Sequence, residues 1–511
     1  MSDSDNKTNL LENIKTVPSE VDPSEIEAVL SNKELTERIL REKGITNSTI
    51  HKSTINKEAA YAVALFLVFF ILGIFITSPF LQLVMRISSD VFDYEWSAGA
   101  SESKDFIRFY DSYHNMIKGI NWLVYLAVAF LYIYWIWRII TDRKSIHIHL
   151  KSTCIKLLPF FIFLLFDIGI VLVTIIRGPN EYDLNGHPYM NESIFSYILY
   201  PISYFFCGMM VYQARRKKIL LYSLVISALP VNLIALMVEY GLPFPYYMKY
   251  GVIAVFHNSN HYGYYLAFVT MVSALMFVYE VKPVLKILLL FSMSLSTTMI
   301  VINNTLGAFL ATGFVLTLFF IYRLRDKNSK KSDDRNGSWQ SALFVLILFV
   351  VITLFMSIGY QTVTKSLIKL FSDTGDIVND FNTADRAGSG RWKLWKNTVL
   401  HIPERPLTGF GVEGLLNTYM VGTPHNELLQ YAAFFGIPVA VLYVSACVVT
   451  LVRVWRSRAK MSPIAMVCFF TAIGYLVNSL FGVAIYYTTP FLYIFLGLSY
   501  SECVKSDKDT D

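Results

Sequence analysis

Charge is scarce in this chain. Asp, Glu, Lys and Arg together make up only 16% of its 511 residues, against 54% hydrophobic residues and a mean hydropathy of +0.46. That balance excludes a soluble globular protein of this length. Cysteine is sparse as well. The five present (Cys154, Cys207, Cys447, Cys468, Cys503) fall in apolar runs or in loops expected inside the cell. None pairs by spacing into a metal motif, so neither a disulfide framework nor a metal site is expected. The first 58 residues are polar, with one short amphipathic stretch over 23–42, and lack the basic start and cleavage site of a signal peptide. There is no repeat of roughly 20–50 residues, and no Walker or Rossmann signature follows a strand. The run Thr408-Gly409-Phe410-Gly411-Val412-Glu413-Gly414 contains G-x-G-x-x-G in form only, since it follows Pro403 and Pro406. Its glycines read as a tight turn, or as a nest of backbone N–H groups able to meet a phosphate.

What the chain has in abundance is long apolar runs. Each is about 20 residues, enough to cross the hydrocarbon core as a helix. About twelve are expected, centred near residues 68, 130, 166, 204, 229, 272, 294, 313, 349, 440, 472 and 493. The fold class is therefore all-α, a polytopic integral membrane protein. Lys and Arg collect after every second run: Arg138 to Lys156, Arg215 to Lys218, Lys282 and Lys286, Arg323 to Arg335, and Arg453 to Lys460. Basic residues stay on the cytoplasmic side of short loops, so both termini are expected in the cytoplasm and the segments 78–119, 177–193, 239–262, 359–426 and 483–489 outside. Residues 1–58 then form a cytosolic tail, 59–502 the membrane domain and 503–511 a second tail. The net charge of +6 is this topogenic charge and does not point to nucleic acid.

The segment 359–426 has the composition of an active site. Between two apolar helices it carries Arg386, Arg391, Lys393, Lys396 and Arg405, the pair Trp392 and Trp395, and Thr423-Pro424-His425-Asn426 at the point of re-entry. Cations can hold a phosphorylated substrate, His425 can move a proton, and the indoles can stack on sugar or lie among headgroups. Each residue has a plainer reading. His425 can cap the following span, with Asn426 sharing that role. Arg391 and the lysines can hold an interfacial helix to anionic headgroups, with Trp392, Trp395 and Val399 on its buried side. Arg405 is displayed rigidly between two prolines, and Arg386 either closes the site or caps the loop.

Ser389-Gly390-Arg391-Trp392, Trp395, Pro403-Glu404-Arg405-Pro406-Leu407-Thr408-Gly409-Phe410-Gly411, Pro424-His425-Asn426-Glu427-Leu428-Leu429 and Phe435-Gly436-Ile437 resemble the O-antigen ligase and Wzy-type polymerase superfamily. These are bacterial membrane glycosyltransferases that use undecaprenyl-diphosphate-linked glycans. The resemblance is specific over roughly 385–440, with weaker support from Asn258 to Gly263 and Asn303 to Ala308. It implies a GT-C-like fold in the plasma membrane with a large external loop before the tenth span. It also implies a lipid-diphosphate donor, no cofactor or metal, and as partners membrane lipid, a flippase and a chain-length regulator. By resemblance, Arg391 binds the diphosphate and His425 activates an acceptor hydroxyl, giving inversion at the anomeric carbon. The chain departs from the pattern near residue 305: where the family often has Ser-Arg-Gly, it reads Asn304-Thr305-Leu306-Gly307. Either Asn303 and Asn304 meet the substrate through amides, or a cation from the late loop substitutes.

Asn258, Asn260 and His261, beside Tyr262, Tyr264 and Tyr265, suit carbohydrate contact and equally an aromatic belt at a helix start. Asp167, deep in an apolar run, is a functional candidate by position and raises a transporter or lipid-glycan flippase as the competing class, but with no Lys, Arg or His at its depth in neighbouring runs a structural, hydrogen-bonded or protonated Asp is the preferred reading. Transporters usually place their polar groups within the spans, whereas here these concentrate in one loop. A repeat-unit polymerase for capsule or exopolysaccharide is preferred over a ligase, from the missing arginine and the Lys-, Asn- and Tyr-rich composition.

Overall fold

An apolar chain with no water to satisfy its peptide groups must pair them within each segment, which only a helix does locally. The computed structural model obeys this: among the described residues every regular element is helical. Those residues are 150–186, 192–211, 214–240, 259–325, 338–360, 362–380, 384–412, 423–485 and 488–505. The expected spans near 68 and 130, the tails over 1–58 and 506–511, and Asn258 lie outside them.

In chain order the helices are α1 (Leu150–Arg177), α2 (Glu181–Asn185), α3 (Ile194–Met210), α4 (Ala214–Glu239), α5 (Ser259–Tyr279), α6 (Pro283–Ile302) and α7 (Leu306–Arg325). They continue as α8 (Trp339–Tyr360), α9 (Thr362–Asn379), α10 (Arg391–His401), α11 (Glu427–Phe435), α12 (Ile437–Ser457), α13 (Pro463–Ser479) and α14 (Thr489–Lys505). Seven of them (α1, α4, α5, α6, α7, α8 and α12) are long and apolar enough to cross a membrane. The expected spans near 204, 472 and 493 appear as the shorter α3, α13 and α14. The chain is thus an integral membrane protein with large apolar side chains on its outer face, such as Phe355 at 71% and Ile358 at 78% exposure, where lipid takes the place of core.

α5 is the centre of the bundle. Its apolar window is 89% buried, against 28% for the peripheral α8. Polar side chains rather than apolar area pin it, as expected where lipid tails are as apolar as the side chains. Tyr262 donates to Asn232 Oδ1 at 2.9 Å, and Asn232 in turn donates to Ser296 Oγ at 2.8 Å, so that α4, α5 and α6 are joined. Tyr265 meets Ser227 at 3.1 Å. These tyrosines belong to the helix interior rather than to an interfacial belt. Asp167 is buried within α1, and its Oδ1 has no hydrogen-bond partner.

The segment after α8 is more regular than its composition promised. α9 is an amphipathic helix whose apolar side chains Ile368, Phe371 and Val378 are 65–79% exposed, the arrangement of a helix lying in the membrane interface. The plainer reading of Arg391, Lys393 and Lys396 places such a helix at their position. α10 instead packs on α11, and Val399 is 54% exposed rather than on a buried side.

The 405–412 run is tied down on both sides. Phe410 N donates to Ala433 O at 2.8 Å, Gly411 N to Phe434 O at 2.9 Å, and Ile437 N to Pro406 O at 2.8 Å. Gly409 and Gly411 have φ of +63° and +89°. A Cβ on Gly409 would stand 2.5 Å from Phe434 backbone atoms, so glycine is required by close approach as well as by φ. This corrects the phosphate-nest reading over Gly409 to Val412, the remaining residues of that run lying outside the described ones. The N–H groups of Gly409 through Val412 are spent on Arg405 O, Ala433 O, Phe434 O and Asp183 Oδ1, leaving none for an anion.

The other side of that run is a buried ion pair. Arg177, at the end of α1, meets Asp183 at 2.5 Å, with 6% and 0% of the two side chains exposed. The guanidinium also reaches Thr408 O (3.3 Å) and Phe434 O (3.4 Å), and Asp183 accepts from Val412 N at 3.0 Å. Removing one partner strands the other charge, which costs about 3–5 kcal/mol in a buried setting. Asp183→Ala is therefore expected to lower thermal stability in detergent and to expose 405–412 to protease. Unchanged melting and cleavage would show that the pair is dispensable.

Candidate active site

Elements far apart in sequence meet at one end of the bundle: the start of α5, the 303–307 connection, the start of α10, the 423–427 approach to α11 and the end of α13. Thr305 fills the space beside Gly263, and Asn478 the space beside Gly307. Asn303 donates to Ser259 O at 2.8 Å, and Asn426 donates to Leu480 O at 3.2 Å. Close contacts between small residues and polar side chains bring the helix ends together.

His425 sits at the middle of this convergence. It does not cap α11. Asn426 is the N-cap, its Oδ1 accepting from Leu429 N at 3.1 Å, so the plainer reading belongs to the neighbour alone. His425 instead adopts φ +51°, a left-handed conformation that costs free energy in a non-glycine residue. Its Nδ1 is buried and has no hydrogen-bond partner. A strained residue presenting an unsatisfied ring nitrogen is what a proton-transfer group awaiting substrate looks like.

The strain is held in place by Trp395. Its indole Nε1 donates to Pro424 O at 2.8 Å, and its ring packs on Phe481 and Trp392. An expected substrate contact thus also fixes the peptide next to His425. Trp395→Phe keeps the aromatic contacts and deletes the donor. We expect kcat to fall about tenfold with KM nearly unchanged, since positioning of the base and not binding is lost. A rise in KM at constant kcat would show instead that the indole's main role is to hold sugar.

Arg391 is the first residue of α10, set by the left-handed Gly390 before it, φ +86°. Its Nη2 donates to Asn260 Oδ1 at 3.2 Å, which joins two of the expected substrate-binding residues across 131 positions of sequence. Burial depresses the basicity of its guanidinium. Its charge, second to burial, also depresses the His425 imidazole, whose pKa is lowered from 6.5 to about 4. The imidazole and the guanidinium therefore lie within electrostatic reach of each other. Tyr264 is buried and lies within electrostatic reach of Arg391 and of Glu427.

The remaining expected residues are placed differently. Arg386 and Arg405 are exposed, Arg405 lying over the Phe410 ring at 5.4 Å, and neither acts on His425. Asn304, at φ +53°, accepts from Ser366 of α9 at 2.9 Å, so it ties the interfacial helix to the α6–α7 connection. His261 is buried at the start of α5. Lys396 and Lys393 meet Asp385 at 2.7 and 3.8 Å. The Lys396 hydrogen bond, ahead of the other contributions, draws that carboxyl below its usual range. The lysines thus brace the turn before α10. Asp373 Oδ2 accepts from Gly388 N at 2.8 Å on its far side.

Sequence reasoning missed Glu427, which lies two residues after His425 and has no exposed surface. It receives the hydroxyls of Tyr475 and, at 3.4 Å, Tyr443. The signal was available, since a glutamate directly after the histidine and the N-cap cannot turn to solvent when α11 packs inward.

No curated protein matches the chain. Residues 289–444, which hold Asn304, Arg391, Trp395, Arg405 and His425, match the family model described as O-antigen ligase, so that this part of an integral membrane protein is similar to that family, in agreement with the resemblance carried by the 385–440 motifs.

Proposed function

We propose that this protein transfers a glycan from a polyprenyl-diphosphate carrier to an acceptor hydroxyl, and that as a polymerase it joins repeat units of a capsular or exopolysaccharide at the outer leaflet of a bacterial plasma membrane. The observation that carries this reading is a strained histidine with an unpartnered buried Nδ1 lying within electrostatic reach of a half-buried arginine. The donor already has a good leaving group, so catalysis needs a base on one side and charge stabilisation on the other. The acceptor oxygen forms the new bond to the anomeric carbon as its proton passes to the His425 imidazole. The bond to the diphosphate breaks on the opposite face, and Arg391 takes up the departing charge through the N–H groups not given to Asn260. Attack and departure on opposite faces invert the anomeric centre. Asn260, Arg405, Arg386, His261 and Asn258 are candidates for sugar and headgroup contact. The chain-length regulator and the flippase are expected partners of such a polymerase.

The imidazole is suited to receive the proton because it is neutral at physiological pH. A diphosphate bound beside Arg391 would offset the positive charge that depresses His425 and so raise its basicity when the donor is present. Ligation of a finished chain onto another acceptor uses the same groups. The two outcomes separate in a deletion strain: lipid-linked glycan stalled at a single repeat unit supports polymerisation, and full-length unattached chains assign ligation. Normal long, attached polymer in the deletion strain would remove both.

A further inference from the structure

Among the described residues three that are not glycine adopt positive φ: Asn304 (+53°), Ser389 (+60°) and His425 (+51°). Such conformations persist only where the surroundings fix them. Trp395 does this for His425 through the Pro424 carbonyl. The other two sites are reached by side chains of a single helix, α9.

Ser389 is the middle of three successive left-handed residues, Gly388, Ser389 and Gly390, with φ of +60°, +60° and +86°. Left-handed runs are disfavoured for L-residues, so this turn needs outside support. It also sets Arg391. The Arg391 N–H donates to the carbonyls of Ala387 and Gly388, and a Cβ on Gly388 would stand 3.6 Å from the Cβ of Arg391. Asp373 of α9 supplies the support, its Oδ2 accepting from Gly388 N at 2.8 Å. A carboxylate accepting a backbone N–H makes a charge-assisted bond, stronger than one between neutral groups.

Two turns earlier in α9, Ser366 donates to Asn304 Oδ1 at 2.9 Å. Ser366 and Asp373 fall on one stripe of the helix with the half-buried Leu370 and Ile377, and α9 packs on α6, α7, α8 and the 387–390 turn. Its exposed apolar stripe, Ile368, Phe371 and Val378, suffices for a seat in the membrane interface. Such a seat does not require two polar anchors aimed at two left-handed connections of the candidate active site.

We propose that Asp373 is a positioning residue for Arg391, holding from α9 the left-handed turn that aims the guanidinium at the departing diphosphate. The role rests on the reading of Arg391 as the group that takes up that charge, and it passes through Arg391 alone.

The test is steady-state transfer from lipid-linked donor by the full-length protein in nanodiscs. Asp373→Ala is expected to lower kcat about tenfold with KM nearly unchanged and the melting temperature unaltered. The acid limb of kcat/KM should move upward, because an Arg391 released from its place depresses the His425 imidazole less. Asp373→Asn keeps an acceptor oxygen for Gly388 N and should restore most of kcat and the original limb. In an Arg391→Ala background, Asp373→Ala should cost nothing further. Multiplied losses in that double variant, a fall in kcat with an unmoved acid limb, no rescue by asparagine, or a lowered melting temperature in Asp373→Ala overturns the proposal, each assigning Asp373 to structure alone. Arg391→Ala measured alongside keeps the two readings apart. Wild-type transfer there removes the catalytic role of Arg391, whereas loss there with wild-type kcat and limb in Asp373→Ala removes the positioning role alone.

Discussion

His425→Ala should lower glycan transfer about 10³-fold, the middle of the range for loss of a positioned general base, without disturbing the membrane fold. The fold is spared because α11 is capped by Asn426 and not by His425, and the substitution deletes a ring nitrogen that bonds to nothing. Steady-state transfer with lipid-linked donor, at matched membrane abundance, is the measurement. Wild-type turnover in the alanine variant would show that proton removal does not pass through this residue.

The pH profile gives an independent reading of the same group. In the free protein the imidazole titrates at about 4, lowered first by burial and then by the Arg391 charge. The acid limb of kcat/KM, which reports the free enzyme, should therefore lie well below pH 6.5. A bound diphosphate counteracts the Arg391 contribution, so the acid limb of kcat should lie at higher pH. Coincident limbs would mean that the donor does not sit where the arginine acts on the histidine. The stability sign follows from the same shift. With the folded pKa depressed, the unfolded chain holds more protons between pH 4 and 6.5, so the contribution of His425 is present above that window and declines as pH falls through it.

Arg391→Ala is expected to cost about 10²–10³ in kcat, the loss associated with removing one donor to developing negative charge. Arg391→Lys should recover little of it. An ammonium cannot bond Asn260 and a diphosphate oxygen with the fixed fork of a guanidinium, and the 3.2 Å contact from Nη2 to Asn260 already occupies one arm of that fork. The alanine variant should also move the acid limb of kcat/KM upward, since the second cause of His425 depression is gone while burial remains. A lysine variant with full activity would reduce the role of Arg391 to that of a generic positive charge.

Much of this architecture was legible in the sequence because hydropathy has one solution in a bilayer. Apolar runs near 166, 229, 272, 294, 313, 349 and 440 became spanning helices within the described residues, since no other local structure satisfies the backbone there. The amphipathic α9 was harder to find. Its polar residues made 362–379 look like loop, and its periodicity shows only when Ile368, Phe371 and Val378 are placed on one face. Gly409 and Gly411 form a turn, as the sequence suggests, but the alternative of a nest fails at both because their N–H groups are bonded. Whether an N–H is free depends on what packs against it, and here the carbonyls at the end of α11 do.

By itself the sequence determined that the chain is helical and membrane-embedded, and it singled out Arg391 and His425 as candidates for its chemistry, because composition and local residue chemistry act without reference to distant partners. Only the tertiary structure decided that Asn426 and not His425 caps α11, that Asn260 holds Arg391 from 131 residues away, and that Asn304 belongs to a tether. These are contacts between helix ends, set by which small and polar residues let the helices approach, and no local pattern in a one-dimensional string encodes them.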